Sequence, residues 1–422
     1  MRCSRRIVPL RSQRFSRTSS LPIESSFSLN PAVAVAAAVL VTPPSSTIQS
    51  PRLMDRRTKT AEQRFLALIS GPPKSLGSRL LRGILRIASW GYRCGAGFRN
   101  SLFDLGIKRT HSAPVPVISV GNITTGGTGK TPTVAMLVGM LQKLGHRPGL
   151  ISRGYRELSA GGNDEARVLE LLCPGTPHVQ NRDRVAAAHE VAADDGCTVI
   201  IADDAFQHRR LGRDLDIVLI DALNPWGHGA LLPRGLLREP VSGLRRANVV
   251  MLTRADLVDD AARSAIWMIV ERNNPTAVRV ELSFASDGLH GYTGNKQAIG
   301  RLFRPTDCKT DMAEGSGMLA FCGIGNPDGF RKTLESAEVP IMDLVAFPDH
   351  HHYDRGDIQR LTAIAEELGA KALVTTLKDL VKIEPDWVGS VSVVALNIEA
   401  QVTSGKESLA EAISKVTQRS SH

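Results

Sequence analysis

Cysteine is scarce in this sequence, and long apolar runs are missing. The six cysteines, at 3, 94, 173, 197, 308 and 322, form no C-x-x-C pair and no cysteine–histidine spacing suited to zinc. That excludes a disulfide framework and a structural metal, and it makes a reducing compartment the default. The apolar run Ala32–Val41 is mostly Ala and Val and is followed by Pro43-Pro44. A bilayer span needs ~20 apolar residues, so this run is too short to cross. Acid is missing from the first twenty residues, where Arg2, Arg5, Arg6, Arg11, Arg14 and Arg17 stand among Ser and Thr. That composition is expected of an organelle transit peptide, with the mitochondrion as first destination and the plastid as second.

Charge also separates the chain into parts. The net +10 over 422 residues resembles a nucleic-acid binder until it is located. Residues 1–60 hold ten Lys/Arg against Glu24 and Asp55, and residues 61–113 hold nine against Glu62 and Asp104. The remaining residues are therefore slightly acidic, and nucleic acid is not expected as a partner. With 42% hydrophobic and 22% charged residues the body has the composition of a soluble globular protein, and its length suggests two or three domains.

In 78–93, Arg79, Arg82, Arg86 and Arg93 fall within about 60° of one another at ~100° per residue. Leu80, Leu81, Ile84, Leu85, Ile87 and Ala88 fill the other side. Such a helix either lies on an anionic membrane surface or docks on the protein's own core. The four arginines without an interleaved acid favour the membrane.

From Pro116 onward the pattern alternates. Strands are expected near 117–120, 149–152, 198–202, 217–220 and 249–252, with helices over 131–144, 164–172 and 182–193. This alternation predicts an α/β fold with a parallel sheet. Residues 285–317 are polar and aperiodic and read as a linker with an insertion. A second, smaller α/β unit begins at Met318–Cys322, with strands near 373–375 and 391–396. The division is 1–60 transit peptide and leader, 61–115 membrane-interface segment, 116–290 P-loop domain, 291–317 linker, and 318–422 C-terminal unit.

The segment VISVGNITTGGTGKTP reads as strand, glycine-rich turn and helix. Glycine lets the backbone close round a phosphate with its N–H groups inward, and a helix N-terminus adds its dipole. Thr124, Thr125, Gly126, Gly127, Thr128, Gly129, Lys130 and Thr131 are thus the expected nucleotide loop. Lys130 would reach the β- and γ-phosphates of ATP, and the Thr131 hydroxyl would bind Mg²⁺. The strict pattern has glycine where Thr124 stands. A second metal contact is expected from an acid ending an apolar strand, which CTVIIADDAFQ supplies as Asp203-Asp204.

With these motifs placed, the sequence from about Leu76 to Leu396 resembles the tetraacyldisaccharide 4′-kinase family of lipid A synthesis. The blocks that carry the resemblance follow in order: APVPVISVGNITTGGTGKTP, ISRGY, DDAFQHRRLGRDLDIVLID, LLPRGLLREP, FCGIGNPDGF, FPDHHHY and TTLKD. The resemblance implies an ATP- and Mg²⁺-dependent kinase acting on a lipid A disaccharide precursor, with no obligate protein partner. It passes the family's catalytic carboxylate to Asp164, although Asn163 and Ala166 replace the family's Gly and Pro. It completes an Asp–His pair with His350, the first histidine of FPDHHHY. A carboxylate held by an imidazole can take the proton from an attacking alcohol. By the same resemblance Gln207, Arg153 and Arg184 become candidates for the nucleotide or disaccharide pocket, and Lys378-Asp379 help hold the second unit or its cleft. Rival readings are a P-loop GTPase or metallochaperone, suggested by TRAD at 253–256, a non-catalytic membrane scaffold, and a kinase of a soluble metabolite.

Overall fold

The computed structural model describes residue 65 and residues 68–72, 75–154, 164–194, 196–293, 298–303 and 317–418. The expected transit peptide lies outside the described residues. Chain order begins with a long helix, α1 (Leu76–Asp104), before strand β1 (Val117–Asn122) and helix α2 (Lys130–Lys143). Then come β2 (Pro148–Ser152), α3 (Asp164–Leu172), β3 (His178–Gln180), α4 (Arg184–Ala192), β4 (Val199–Asp203), β5 (Leu215–Asp221), β6 (Val249–Thr253) and α5 (Asp260–Asn273). The chain continues through β7 (Val278–Thr293), β8 (Ala298–Phe303), β9 (Met318–Cys322), α6 (Pro327–Ser336), β10 (Ile341–Ala346) and α7 (Arg355–Leu368). It ends with β11 (Ala372–Thr376), a single helical turn α8 (Leu377–Leu380), β12 (Ser392–Ser404) and α9 (Lys406–Thr417).

The strands β1, β2, β4, β6 and β9 are buried at every residue and rich in Val, Ile and Leu. That is the composition of strands covered on both faces. The twelve strands among the described residues join one sheet, ordered β10-β9-β11-β12-β7-β6-β5-β1-β4-β2-β3, with β8 also on β7. Every pairing is parallel except β7 with β12 and β7 with β8.

This antiparallel seam corrects the expected linker. Residues 285–293 continue β7 and residues 298–303 form β8, so much of that stretch is strand. Its polar Ser, Asp and Gly hid the strand because backbone pairing with β12 and β8 holds it. The C-terminal unit also differs from its expected extent. Leu409, Ile413 and Val416 of α9 pack in the core under β1, β5 and β6, so the chain ends on the first half.

The seam sets the geometry of everything above it. Thr253, the end of β6, is level with Leu282 of β7. Thr376, the end of β11, is level with Leu396, which pairs with Leu289. Because β12 runs against β7, the C-terminal edges of the two halves face each other. Seven residues of β7 separate them, about 23 Å at ~3.3 Å per residue. In open parallel sheets ligands bind outside the carboxyl ends of strands, and here two such ends share one crevice. Helix α3 ties the halves together, with Leu169 in the first core and Val168 in the second.

Helix α1 begins at a capping box between Ser75 and Ser78 and is moored by its polar side. Ser89 is its one buried residue; its Oγ donates to Leu231 O at 2.9 Å and accepts from Arg234 N at 3.0 Å. Tyr92 Oη donates to Arg238 O at 2.8 Å, and Asp104 pairs with Arg209 at 2.8 Å. Leu76, Leu80, Ile84, Ile87, Trp90 and Phe98 are left exposed on the opposite side. No described helix is long and apolar enough to cross a membrane. Arg82 departs from the expected outward stripe, because its Nε donates to Leu68 O at 2.7 Å.

Candidate active site

The loop between β1 and α2 is braced from both sides. Asn122 Nδ2 donates to Thr128 Oγ1 at 3.0 Å. Thr125 N donates to Leu236 O at 2.7 Å, and Thr124 forms a bridge with Leu237. Across the loop, Arg254 Nη2 donates to Gly127 O at 3.1 Å, while its Nη1 pairs with Asp221 at 2.8 Å. Gly126 and Gly129 adopt positive φ of 113° and 81°, which glycine accepts without strain. Gly126 and Gly127 are exposed, at the N-terminus of a helix of 14 residues. Uncovered amides there form an anion site.

Acids and cations gather beside it. Lys130 Nζ stands 3.5 Å from Asp204, and Arg238 Nη1 lies 2.8 Å from both oxygens of that carboxylate. Burial would raise the Asp204 pKa, but Lys130 and Arg238 outweigh it and hold the carboxyl below its ordinary range. Asp203 is buried, and its pKa is pushed up to about 6, first by burial and then by Glu165 and Asp204. Its Oδ1 has no hydrogen-bond partner among the described residues. An orphaned carboxylate oxygen beside Asp204 and a phosphate loop is a donor set suited to Mg²⁺.

The expected candidates separate here. Lys130, Asp203 and Asp204 come together between the end of β4 and the start of α2, where Thr131 follows Lys130. Asp164 starts α3 across the crevice, where Lys382 Nζ lies 3.3 Å from its Oδ2 and 3.4 Å from Asp379 Oδ1. The His350 side chain makes no hydrogen bond with Asp164, and the two are joined indirectly. Asp379 Oδ2 accepts from Gly323 N at 3.1 Å, and Gly323 O accepts from His350 N at 3.1 Å. The neighbouring His351 is engaged elsewhere, with Asp357 at 2.8 Å.

Two expected pocket residues serve the frame. Arg184 is only 2% exposed and donates to Asp203 O at 2.8 Å. Burial lowers its pKa to about 10, with neighbouring Arg153 adding to the depression. The Arg184 Nη2 thus holds the end of β4 beside the site, while its buried Nη1 has no hydrogen-bond partner among the described residues. Gln207 Nε2 donates to Asn122 O and to Glu239 Oε1, each at 2.8 Å, so its amide nitrogen fastens the end of β1. Arg153 stays exposed after β2.

Several site residues were not singled out from the sequence. Glu165 pairs with Lys378 at 2.7 Å; burial would raise its pKa, yet Lys378 and Lys130 hold it below the ordinary range. Arg238 and Glu239 sat unread inside the LLPRGLLREP block, and Arg254 inside TRAD. Phe284 of β7 lies against Gly129 and carries the Arg254 guanidinium 5.5 Å from its ring centre. It stands just before the polar, aperiodic stretch, and no local pattern marks it.

Comparison with known proteins places this geometry. The sequence profile of the Tetraacyldisaccharide-1-P 4'-kinase family matches residues 81–418. The chain belongs to the tetraacyldisaccharide 4′-kinase family. It is 38% identical over 339 residues to the Tetraacyldisaccharide 4'-kinase of Syntrophus aciditrophicus, covering 76% of this chain and 89% of that one. It is 34% identical over 353 residues to that of Anaeromyxobacter sp. strain Fw109-5, covering 80% and 92%. Among solved structures, LpxK from Aquifex aeolicus in complex with ATP superposes with a TM-score of 0.61 and 27% identity, covering 80% of this chain and 99% of that one. The P-loop α/β fold read from the sequence is therefore that of the family.

Gly129 offers a test of the loop. A Cβ there would meet the Phe284 ring, at a backbone φ that L residues rarely adopt. Gly129→Ala should weaken ATP binding at least tenfold in titration calorimetry, with the circular dichroism spectrum kept. Affinity within threefold of the parent would show that ATP does not use this loop.

Proposed function

We propose that this protein transfers the γ-phosphate of ATP to the 4′-hydroxyl of a tetraacyldisaccharide 1-phosphate, a lipid A precursor. The observation that carries the reading is Lys130 beside Asp204 at the phosphate loop, which shares its bracing 231–238 loop with a helix whose apolar side is unburied. A GTPase switch needs no such face, and neither does a kinase of a soluble metabolite.

Lys130 and the amides of 126–129 hold the β- and γ-phosphates and stabilise the charge that develops on them during transfer. Thr131, Asp203 and Asp204 would hold Mg²⁺, which when bound neutralises phosphate charge. Asp164 takes the proton of the attacking hydroxyl, and Lys382 orients it by an ion pair. His350, at a positive φ of 55° in the facing loop, is read as the partner of Asp164 in moving the proton, although its imidazole makes no hydrogen bond with that carboxylate here. Arg238 keeps Asp204 turned towards Lys130.

The apolar side of α1 is read as the membrane contact, with Arg79, Arg86 and Arg93 exposed for anionic head groups. A lipid acceptor then diffuses in the bilayer plane to the crevice. The first twenty residues are read as a mitochondrial transit peptide, on composition alone.

Lys130→Ala should lower turnover of the lipid acceptor by orders of magnitude in a mixed-micelle assay with labelled ATP. Asp164→Asn should lower kcat with ATP affinity kept; normal kcat in both would remove the kinase mechanism. The double variant Ile84→Asp, Ile87→Asp should lose co-sedimentation with anionic vesicles while its unfolding midpoint holds, since both side chains are already exposed. Undiminished sedimentation would mean that α1 is not the membrane contact. Residues 1–50 fused to a fluorescent protein should carry it to mitochondria, and a diffuse cytosolic signal would end the transit-peptide reading.

A further inference from the structure

Asp379 is fully buried, and it does more than close the turn α8. Locally, Thr376 Oγ1 donates to its Oδ2 at 2.8 Å, and its own backbone N donates to Thr376 Oγ1 at 3.2 Å. A helix cap is complete with that pair. Two further contacts leave the turn. Asp379 Oδ1 accepts from Lys382 Nζ at 3.4 Å, and the same ammonium stands 3.3 Å from Asp164 Oδ2. Asp379 Oδ2 accepts from Gly323 N at 3.1 Å, and Gly323 O accepts from His350 N at 3.1 Å. One buried carboxylate therefore stands a single residue away from each member of the Asp–His pair. Those members come from the start of α3 and from the 348–352 loop, and make no hydrogen bond to each other.

The two arms work by different physics. Burying a carboxylate is costly unless a cation meets it, and a neutral amide would serve Gly323 N and Thr376 Oγ1 equally well. The charge is matched by Lys382, whose side chain is only 7% exposed and lies between two acids, Asp379 and Asp164. With Asp379 neutral, that ammonium is fixed from one side only, and Asp164, the more exposed acid, loses a fixed partner. On the other arm His350 has a φ of 55°, which a non-glycine residue keeps only where its surroundings hold it. Gly323 is the holding point and has no spare room. A Cβ there would come within 3.1 Å of Tyr353 Oη and 3.2 Å of Asp379 Oδ1.

We propose that Asp379 is a positioning residue that sets Asp164 and His350 relative to each other, the first through the charge of Lys382 and the second through Gly323. It moves no proton itself. The inference rests on the kinase reading above and deepens it: two groups from separate elements act together because one buried acid anchors both.

The full chain is compared with two variants. Asp379→Asn keeps an acceptor oxygen for Gly323 and Thr376 but turns an amide towards Lys382, and Gly323→Ala strikes the other arm. Each should lower kcat about tenfold in mixed micelles, with lipid KM and the ATP dissociation constant within about threefold of the parent. In an Asp164→Asn background each should cost less than about twofold more, because a residue that acts through the pair has nothing left to act on. With isotope-labelled histidines, the His350 ring signal, assigned by its loss in His350→Ala, should move in Gly323→Ala with no ligand present. Unfolding midpoints are measured alongside, and if Asp379→Asn does not fold, Lys382→Met carries the same kinetic comparison. Unchanged kcat in the folded variants would overturn the proposal. So would an equal loss in the Asp164→Asn background, or a loss confined to KM or ATP affinity, either of which would mark Asp379 as support for the fold alone. If the parent phosphorylates no lipid, the kinase reading fails, and the His350 signal decides this one by itself: unmoved, it sinks the proposal as well.

Discussion

The pairing of β7 with β12 is the constraint on which the site depends. A parallel sheet has one productive edge, and joining two such sheets side by side in the same sense would set both edges in one line. Reversal at a single antiparallel ladder, Leu282 with Val402 through Gly291 with Val394, makes the edges face each other instead. The long β7 supplies the spacing; β12 pairs its polar middle along one edge, while β6 and β8 take the two ends of the other. The nucleotide loop then stands on one wall, and Gly323, His350, Asp379 and Lys382 on the other. Helix α3, packed into both cores, sets Asp164 and Glu165 between them.

Within that crevice the electrostatics are arranged in opposed pairs. Asp204, Glu165 and Asp164 each face a cation from another element: Lys130 and Arg238, Lys378, and Lys382. Each pair couples the two halves or the loop to the sheet, and at least one partner in each is partly exposed, so their worth lies in placement more than in stability. Asp203 is different. It is deeply buried with an unpartnered oxygen, the kind of group a fold keeps for a ligand.

Helix α1 inverts the usual arrangement, in which an amphipathic helix buries its apolar side. Here serine, tyrosine hydroxyl and arginine contacts fasten the polar side to the body, and the apolar residues are left outward. Contiguous exposed apolar surface of this kind marks an interaction face. The same loop that braces Thr124 and Thr125 also holds Ser89 and Tyr92, so helix α1 and the nucleotide loop share one support.

By itself the sequence determined the local elements and the chemistry they carry. Val and Ile runs between glycine turns are legible as buried parallel strands, and GGTGKT after such a run is legible as a phosphate loop, because both depend on residues close in the chain. The acid pair Asp203-Asp204 was legible for the same reason, as was the two-sided pattern of 78–93. Tertiary structure alone decided which side of α1 is covered, since that depends on the 231–238 loop far along the chain. It decided that Arg184 supports a strand end and that Phe284 closes on Gly129. It also decided that 285–303 is largely strand, because a ladder between distant segments holds polar residues that no local pattern marks. Charges such as Lys378, Lys382 and Arg238 look alike in sequence; only the reversal at β7 and β12 says which acid each one meets.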